Sequence, residues 1–167
     1  GLALFTNQIE RFVPPKQGKT HMYSLLSQVI NHQPASNQTS IRQCCATLSA
    51  SLRRRSVCFI LSDFIAENYD TEFRQLATRH DVIPIIIQDP IERNIPNVGA
   101  VALQDSETGE TILCDTSDSN FQSKIQSILT SQQHRRDQLF KHVGVRELNC
   151  QTTDDLVIQL QQYFKGR

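Results

Sequence analysis

Arg53-Arg54-Arg55-Ser56-Val57-Cys58-Phe59-Ile60-Leu61-Ser62-Asp63-Phe64 is the stretch on which the reading of this chain turns. Residues 57–61 are uninterrupted apolar side chains between a basic cluster and a serine–aspartate pair. A run this short and continuous reads as a strand buried on both faces, the kind that parallel sheets use. Upstream, Ile41, Cys44, Cys45, Leu48 and Leu52 recur at helical spacing. Ser40 opens that helix with Gln43 as its capping-box partner, and the three arginines suit the negative end of its dipole. Downstream, Tyr69, Phe73, Leu76 and Ala77 mark another helix, and Val82 to Ile87 another strand. Strands alternating with helices imply an α/β fold with a doubly wound, mostly parallel sheet.

The flanks extend the pattern. Leu2 to Phe5 and Ile9 to Val13 read as a hairpin ended by Pro14-Pro15, and Met22, Leu25, Leu26, Val29 and Ile30 as a helix. Pro84 cannot donate to a sheet ladder, so a bulge or break is expected in its strand. Residues 98–103 and 111–114, joined by Asp105-Ser106-Glu107-Thr108-Gly109, predict an inserted β-hairpin near 98–114. A long polar helix follows over 120–142, then a short strand at Val145 to Leu148. The closing helix runs from Leu156 to Phe164 and is capped near Thr152 or Thr153. With no internal repeat or low-complexity linker, 1–167 reads as one partial domain. Residues 2–5 already form a strand directly behind Gly1, so the expectation is a fragment truncated at its N-terminus.

The 167 residues (19.0 kDa) suffice for one core. Lys plus Arg equals Asp plus Glu at 17 each, which argues against a nucleic-acid partner. No apolar run approaches a membrane span, and no basic-then-apolar leader opens the sequence, so no membrane is expected for this fragment. An upstream anchor in a longer protein stays open. Five cysteines without a C-x-x-C pair suit neither a disulfide framework nor zinc, and a reducing, cytoplasmic location follows. His21 and His80 have no metal-binding neighbours at ligand spacing. The basic stretch His134, Arg135, Arg136, Lys141 and His142 reads as a solvated helix face, with an acidic docking partner as the other possibility.

Gly18-Lys19-Thr20 resembles the tail of a phosphate-binding loop, but position 13 is Val where that motif needs Gly. Asp63 is a better candidate. It follows the strand 57–61 at its carboxyl end, the edge where open α/β sheets collect ligands. Thr39 lies just ahead of the helix opened by Ser40, and either hydroxyl could cap that helix. Together, a loop hydroxyl and an aspartate at one sheet edge make part of a hard, oxygen-only Mg²⁺ site.

Several runs carry a family resemblance: Leu2-Ala-Leu-Phe through Ile9-Glu-Arg-Phe-Val-Pro-Pro, Arg53-Arg-Arg-Ser-Val-Cys-Phe-Ile-Leu-Ser-Asp-Phe, and Arg79-His-Asp-Val. Asp89-Pro-Ile-Glu-Arg, Ile95-Pro-Asn-Val-Gly and Asp115-Thr-Ser-Asp continue it in order. In these the chain resembles the bacterial von Willebrand factor A-like proteins catalogued as domain of unknown function 58. The resemblance implies a von Willebrand A-type, Rossmann-like fold with sheet order 3-2-1-4-5-6. It also implies a non-enzymatic adaptor that partners an AAA+ ATPase of the MoxR type. By the same resemblance, Thr39 and Asp63 take the threonine and second-aspartate places of a metal-ion-dependent adhesion site. The Asp-x-Ser-x-Ser of that site would lie on a central strand upstream of residue 1. No stable metal or cofactor is therefore expected here, with Mg²⁺ possible in a longer protein. Docking would complete the ion's shell with an acidic side chain of the partner.

Asp115, Ser117 and Ser119 also fit Asp-x-Ser-x-Ser and form an alternative metal site, against which stands a plain cap of the 120–142 helix. A rival function is a Mg²⁺-dependent phosphoryl hydrolase or transferase using Asp63 with Asp89 or Asp115, although no Lys or His lies beside these carboxylates in sequence. A sheet lacking its central strand would leave two unpaired edges. Either the first hairpin docks on the strand 57–61, or two copies share strands as a homodimer.

Overall fold

The computed structural model describes residues 1–89, 96–104 and 111–166, with the side chains of 103 and 104 left aside. The turn expected at 105–109 and residues 90–95 of the family-like motifs lie outside the described residues. The strands are β1 (Leu2–Phe5), β2 (Ile9–Val13), β3 (Val57–Ser62), β4 (Asp81–Gln88), β5 (Ala100–Gln104), β6 (Thr111–Asp115) and β7 (Leu148–Gln151). The helices are α1 (Lys19–Ile30), α2 (Ile41–Ser51), α3 (Asp70–Arg79), α4 (Ser119–Val143) and α5 (Leu156–Lys165).

The fold is mixed α/β around a parallel three-stranded sheet ordered β3-β4-β7. β3 pairs with β4 from Val57↔Asp81 to Ser62↔Ile86, and β4 with β7 from Ile85↔Leu148 to Gln88↔Gln151. Two antiparallel hairpins, β1-β2 and β5-β6, stand apart from that ladder. Alternation along β4 sends Val82 and Ile86 to one face and Ile83 to the other. The first face meets Ile41 and Cys45 of α2, Phe73 and Leu76 of α3, and Leu139 and Phe140 of α4. The second face meets Tyr163 of α5, with Leu148 and Cys150 of β7.

β3 departs from the expectation of burial on both faces. Cys58 and Ile60 are buried, whereas Val57, Phe59 and Leu61 are 55, 47 and 55% exposed. α5 reaches this face through Phe164, whose ring sits 6.4 Å from Phe59. α1 likewise buries none of its residues. The chain exposes 11450 Å², whereas a compact monomer of this mass exposes about 8,400 Å². Apolar surface is thus left uncovered on β3 and α1.

Three local expectations need correction. Pro84 causes no break: β4 runs through it in unbroken register with β3, and pairing with β7 begins only at Ile85, so its missing donor can face a side without a partner. The last strand is Leu148–Gln151 rather than 145–148. Gly144, at φ 70°, closes α4, and the Val145 N–H bonds to the Phe140 carbonyl, which spends Val145 on the helix terminus and the core beside it. α5 is capped by Asp155, which accepts from the amides of Val157 and Ile158, and not by Thr152 or Thr153.

Candidate functional site

β1 and β3 are not hydrogen-bonded to each other. The first hairpin therefore does not dock on β3 by pairing; a cavity of about 680 Å³ lies between the two strands. Residues 1–5 line it on one side and 56–62 on the other, with Cys44, Leu48 and Leu52 of α2 also in its wall. Thr39 and Asp63 both line this cavity. Two residues 24 positions apart in the chain thus line the same cavity, Asp63 at the carboxyl end of β3 and Thr39 at the entry to α2.

Local chemistry fixes each of them. The Ser40 hydroxyl accepts the Gln43 N–H at 3.2 Å and caps α2. Of the two hydroxyls, Ser40 is the cap, and Thr39 stands exposed with no hydrogen bond among the described residues. The Ser40 N–H in turn donates to the Thr6 carbonyl at 2.8 Å, which ties this segment to the end of β1. Asp63 turns the chain after β3: its Oδ1 accepts from the Ile65 N–H at 3.1 Å and the Ser62 hydroxyl at 3.2 Å. Its Oδ2 has no partner among the described residues.

The next residue, Phe64, has φ 58°, the left-handed region. For a bulky residue that conformation costs about 1–2 kcal/mol. The Phe64 ring is buried edge-on against Tyr69, Phe73 and Phe140 at 6.1, 6.4 and 5.5 Å. Burying such a ring contributes roughly 1.5–3 kcal/mol, so packing outweighs strain and holds the Asp63 turn in place. Nothing in the sequence marks Phe64 as left-handed.

The other candidates are elsewhere. Asp89 follows the end of β4 and does not line the cavity. Asp115 ends β6, and its Oδ1 accepts from both the Ser117 N–H at 2.9 Å and the Ser117 hydroxyl at 2.5 Å. Those two bonds hold the Asp115 carboxyl below the usual carboxylate range. Asp118 caps α4 by accepting the Asn120 N–H, and Ser119 is the first residue of that helix. Neither Asp89 nor Asp115 therefore lines the cavity that Asp63 lines. Nor is the basic stretch of α4 wholly solvated. Arg136 is buried at 5% exposure between Asp137 and Glu147, at 3.5 and 3.6 Å, while Arg135 meets Asp70 at the surface.

Among the described residues no three His, Cys, Asp or Glu side chains group as metal ligands. Thr39 and Asp63 supply one hydroxyl and one carboxylate, too few protein oxygens to form a Mg²⁺ site by themselves. The five cysteines are free. Burial pushes the Cys44 thiol up to about 12 and raises Cys45 and Cys58 as well, so these behave as apolar packing groups. Among the described residues, no helix is long and apolar enough to cross a membrane.

The uncharacterized protein Rv1480 of Mycobacterium tuberculosis is 33% identical over 100 residues, covering 58% of this chain and 32% of that protein. The uncharacterized protein Mb1516 of Mycobacterium bovis matches to the same extent. The chain thus spans about a third of the length of these relatives. The uncharacterized protein MAV169 of Mycobacterium avium is 27% identical over 160 residues, 93% of each chain. No solved structure matches significantly. Residues 1–135 match the family described as protein of unknown function DUF58, and the chain belongs to that family.

Proposed function

We propose that this chain is part of a von Willebrand factor A-type domain that docks a protein partner at the rim bearing Thr39 and Asp63, without catalysing a reaction. The partner we assign is an AAA+ ATPase of the MoxR type. The observation that carries this reading is that Thr39 and Asp63, far apart in sequence, line one cavity that runs along β3 and includes its carboxyl end. Carboxyl ends of parallel strands are where open α/β sheets hold ligands.

The cavity supports the finer, doubly wound topology. Placing the first hairpin beside β3 gives the order β2-β1-cavity-β3-β4-β7, which corresponds to 3-2-1-4-5-6 with the central position vacant. A strand of about five residues between two neighbours occupies a slot about 16 Å long, 4.8 Å wide and 10 Å thick, roughly 800 Å³. The cavity, at about 680 Å³, is comparable in size to one such slot. The resemblance puts the remaining metal ligands on that central strand, so divalent-dependent docking belongs to a protein that has it. A second copy sharing strands through the same edges is the other occupant, and light scattering separates the two.

The test is capture of a MoxR-type ATPase by the protein with its central strand present, with and without EDTA. The reading expects capture that EDTA abolishes and that Asp63→Ala or Thr39→Ala weakens. Capture indifferent to both substitutions would overturn it. Phosphatase turnover abolished by Asp63→Ala would transfer the assignment to the phosphoryl-transfer class.

A further inference from the structure

The segment 31–40 carries Thr39 and has little regular structure of its own. What holds it is a carboxylate on the neighbouring hairpin. Glu10 of β2 has a side chain only 7% exposed. Its Oε1 accepts the Thr6 hydroxyl at 2.6 Å and the Ala35 N–H at 2.9 Å, and its Oε2 meets His32 Nε2 at 2.6 Å. Thr6, fixed by this carboxylate through its side chain, receives the Ser40 N–H at its carbonyl. The segment is therefore pinned at His32 and Ala35 before Thr39, and at Ser40 after it. These bonds hold the carboxyl below its ordinary range, the Thr6 hydroxyl contributing most, so it is an ionised acceptor at neutral pH.

Two features separate this arrangement from that of a solvated carboxylate. Secluding a carboxylate in a small hairpin carries a desolvation cost that an apolar residue would not, so stability alone does not explain it. Apart from Thr6, its partners all belong to the segment that bears Thr39, and none belongs to the core. A geometric role fits both features.

We infer that Glu10 is the positioning residue of the rim: it acts through segment 31–40 to hold Thr39 opposite Asp63. This inference rests on the reading of that rim as a docking site.

The experiment compares wild type, Glu10→Ala and Glu10→Gln by amide hydrogen exchange of the full chain, alongside capture of the MoxR-type ATPase by the protein carrying its central strand. Glu10→Ala is expected to speed exchange at 32–40 by about tenfold or more, since bonds to a charged acceptor are lost. Amides of 57–62 and 81–88 should be unchanged. Glu10→Gln keeps an acceptor oxygen for Thr6 and Ala35 and should recover most of the protection and of the capture. Exchange rising equally across 57–62 and 81–88, or unchanged at 32–40, would overturn the inference. Segment loosening confined to Glu10→Ala, with capture absent even from wild type, would uphold the positioning role and overturn the docking reading.

Discussion

Replacing Ser40 and Thr39 separately with alanine tests whether the second hydroxyl is free for a ligand. Ser40 accepts the Gln43 N–H at 3.2 Å, one of the otherwise unpaired amides at the start of α2. Losing such a cap costs about 1 kcal/mol. Thr39 is exposed and has no hydrogen bond among the described residues, so Thr39→Ala should fall within about 0.5 kcal/mol of wild type. For a domain of this size the urea slope is about 2 kcal/mol/M, so the Ser40→Ala midpoint drops by roughly 0.5 M. Its melting temperature falls by about 2–4 °C. Urea unfolding followed by far-ultraviolet circular dichroism resolves that difference. Should Thr39→Ala lose as much as Ser40→Ala, the Thr39 hydroxyl would be part of the helix start, and its assignment to the rim would fail.

Phe73, fully buried and in tilted ring contact with Phe140 at 5.0 Å, anchors the aromatic cluster under the Asp63 turn; Phe73→Ala should cost about 3–5 kcal/mol, read in the same unfolding assay. The Glu10 carboxyl is depressed in the folded chain from an ordinary value of 4.5. Its contribution is therefore complete above that value and is lost as pH falls through the lower folded one, so protection at 32–40 should hold down to about pH 4.5 and decline below it. Protection lost between pH 7 and 5 would contradict that sign. Cys114, the least buried thiol, should react first with a disulfide reagent at pH 8, with Cys44 and Cys45 labelled only on unfolding; mass spectrometry of the labelled peptides checks the order.

The repeating features of the fold were legible because they depend on local periodicity. The 57–61 run, the stripes of α2 and α3, and the first hairpin all appear where spacing places them. The Ser40 cap was legible for the same reason, although the sequence alone could not choose between Ser40 and Thr39. What escaped depends on partners distant in the chain. Arg136 looked like one more solvated cation until Glu147 closed over it, and the left-handed Phe64 follows from an aromatic cluster assembled from two helices and a loop. Glu10 sits in an alternating strand where a polar residue normally faces water, and its partners His32 and Ala35 lie more than twenty residues away. Burial of β3 on one face only was illegible because a continuous apolar run does not reveal how many layers cover it.

A nitroxide attached at residue 39, in a Thr39→Cys chain with Cys114 replaced by serine, measures the juxtaposition on which the docking site depends. Paramagnetic broadening of the amides of residues 62–65 is the predicted spectrum. Sharp resonances at 62–65 would place Thr39 and Asp63 apart and remove the rim from the molecule.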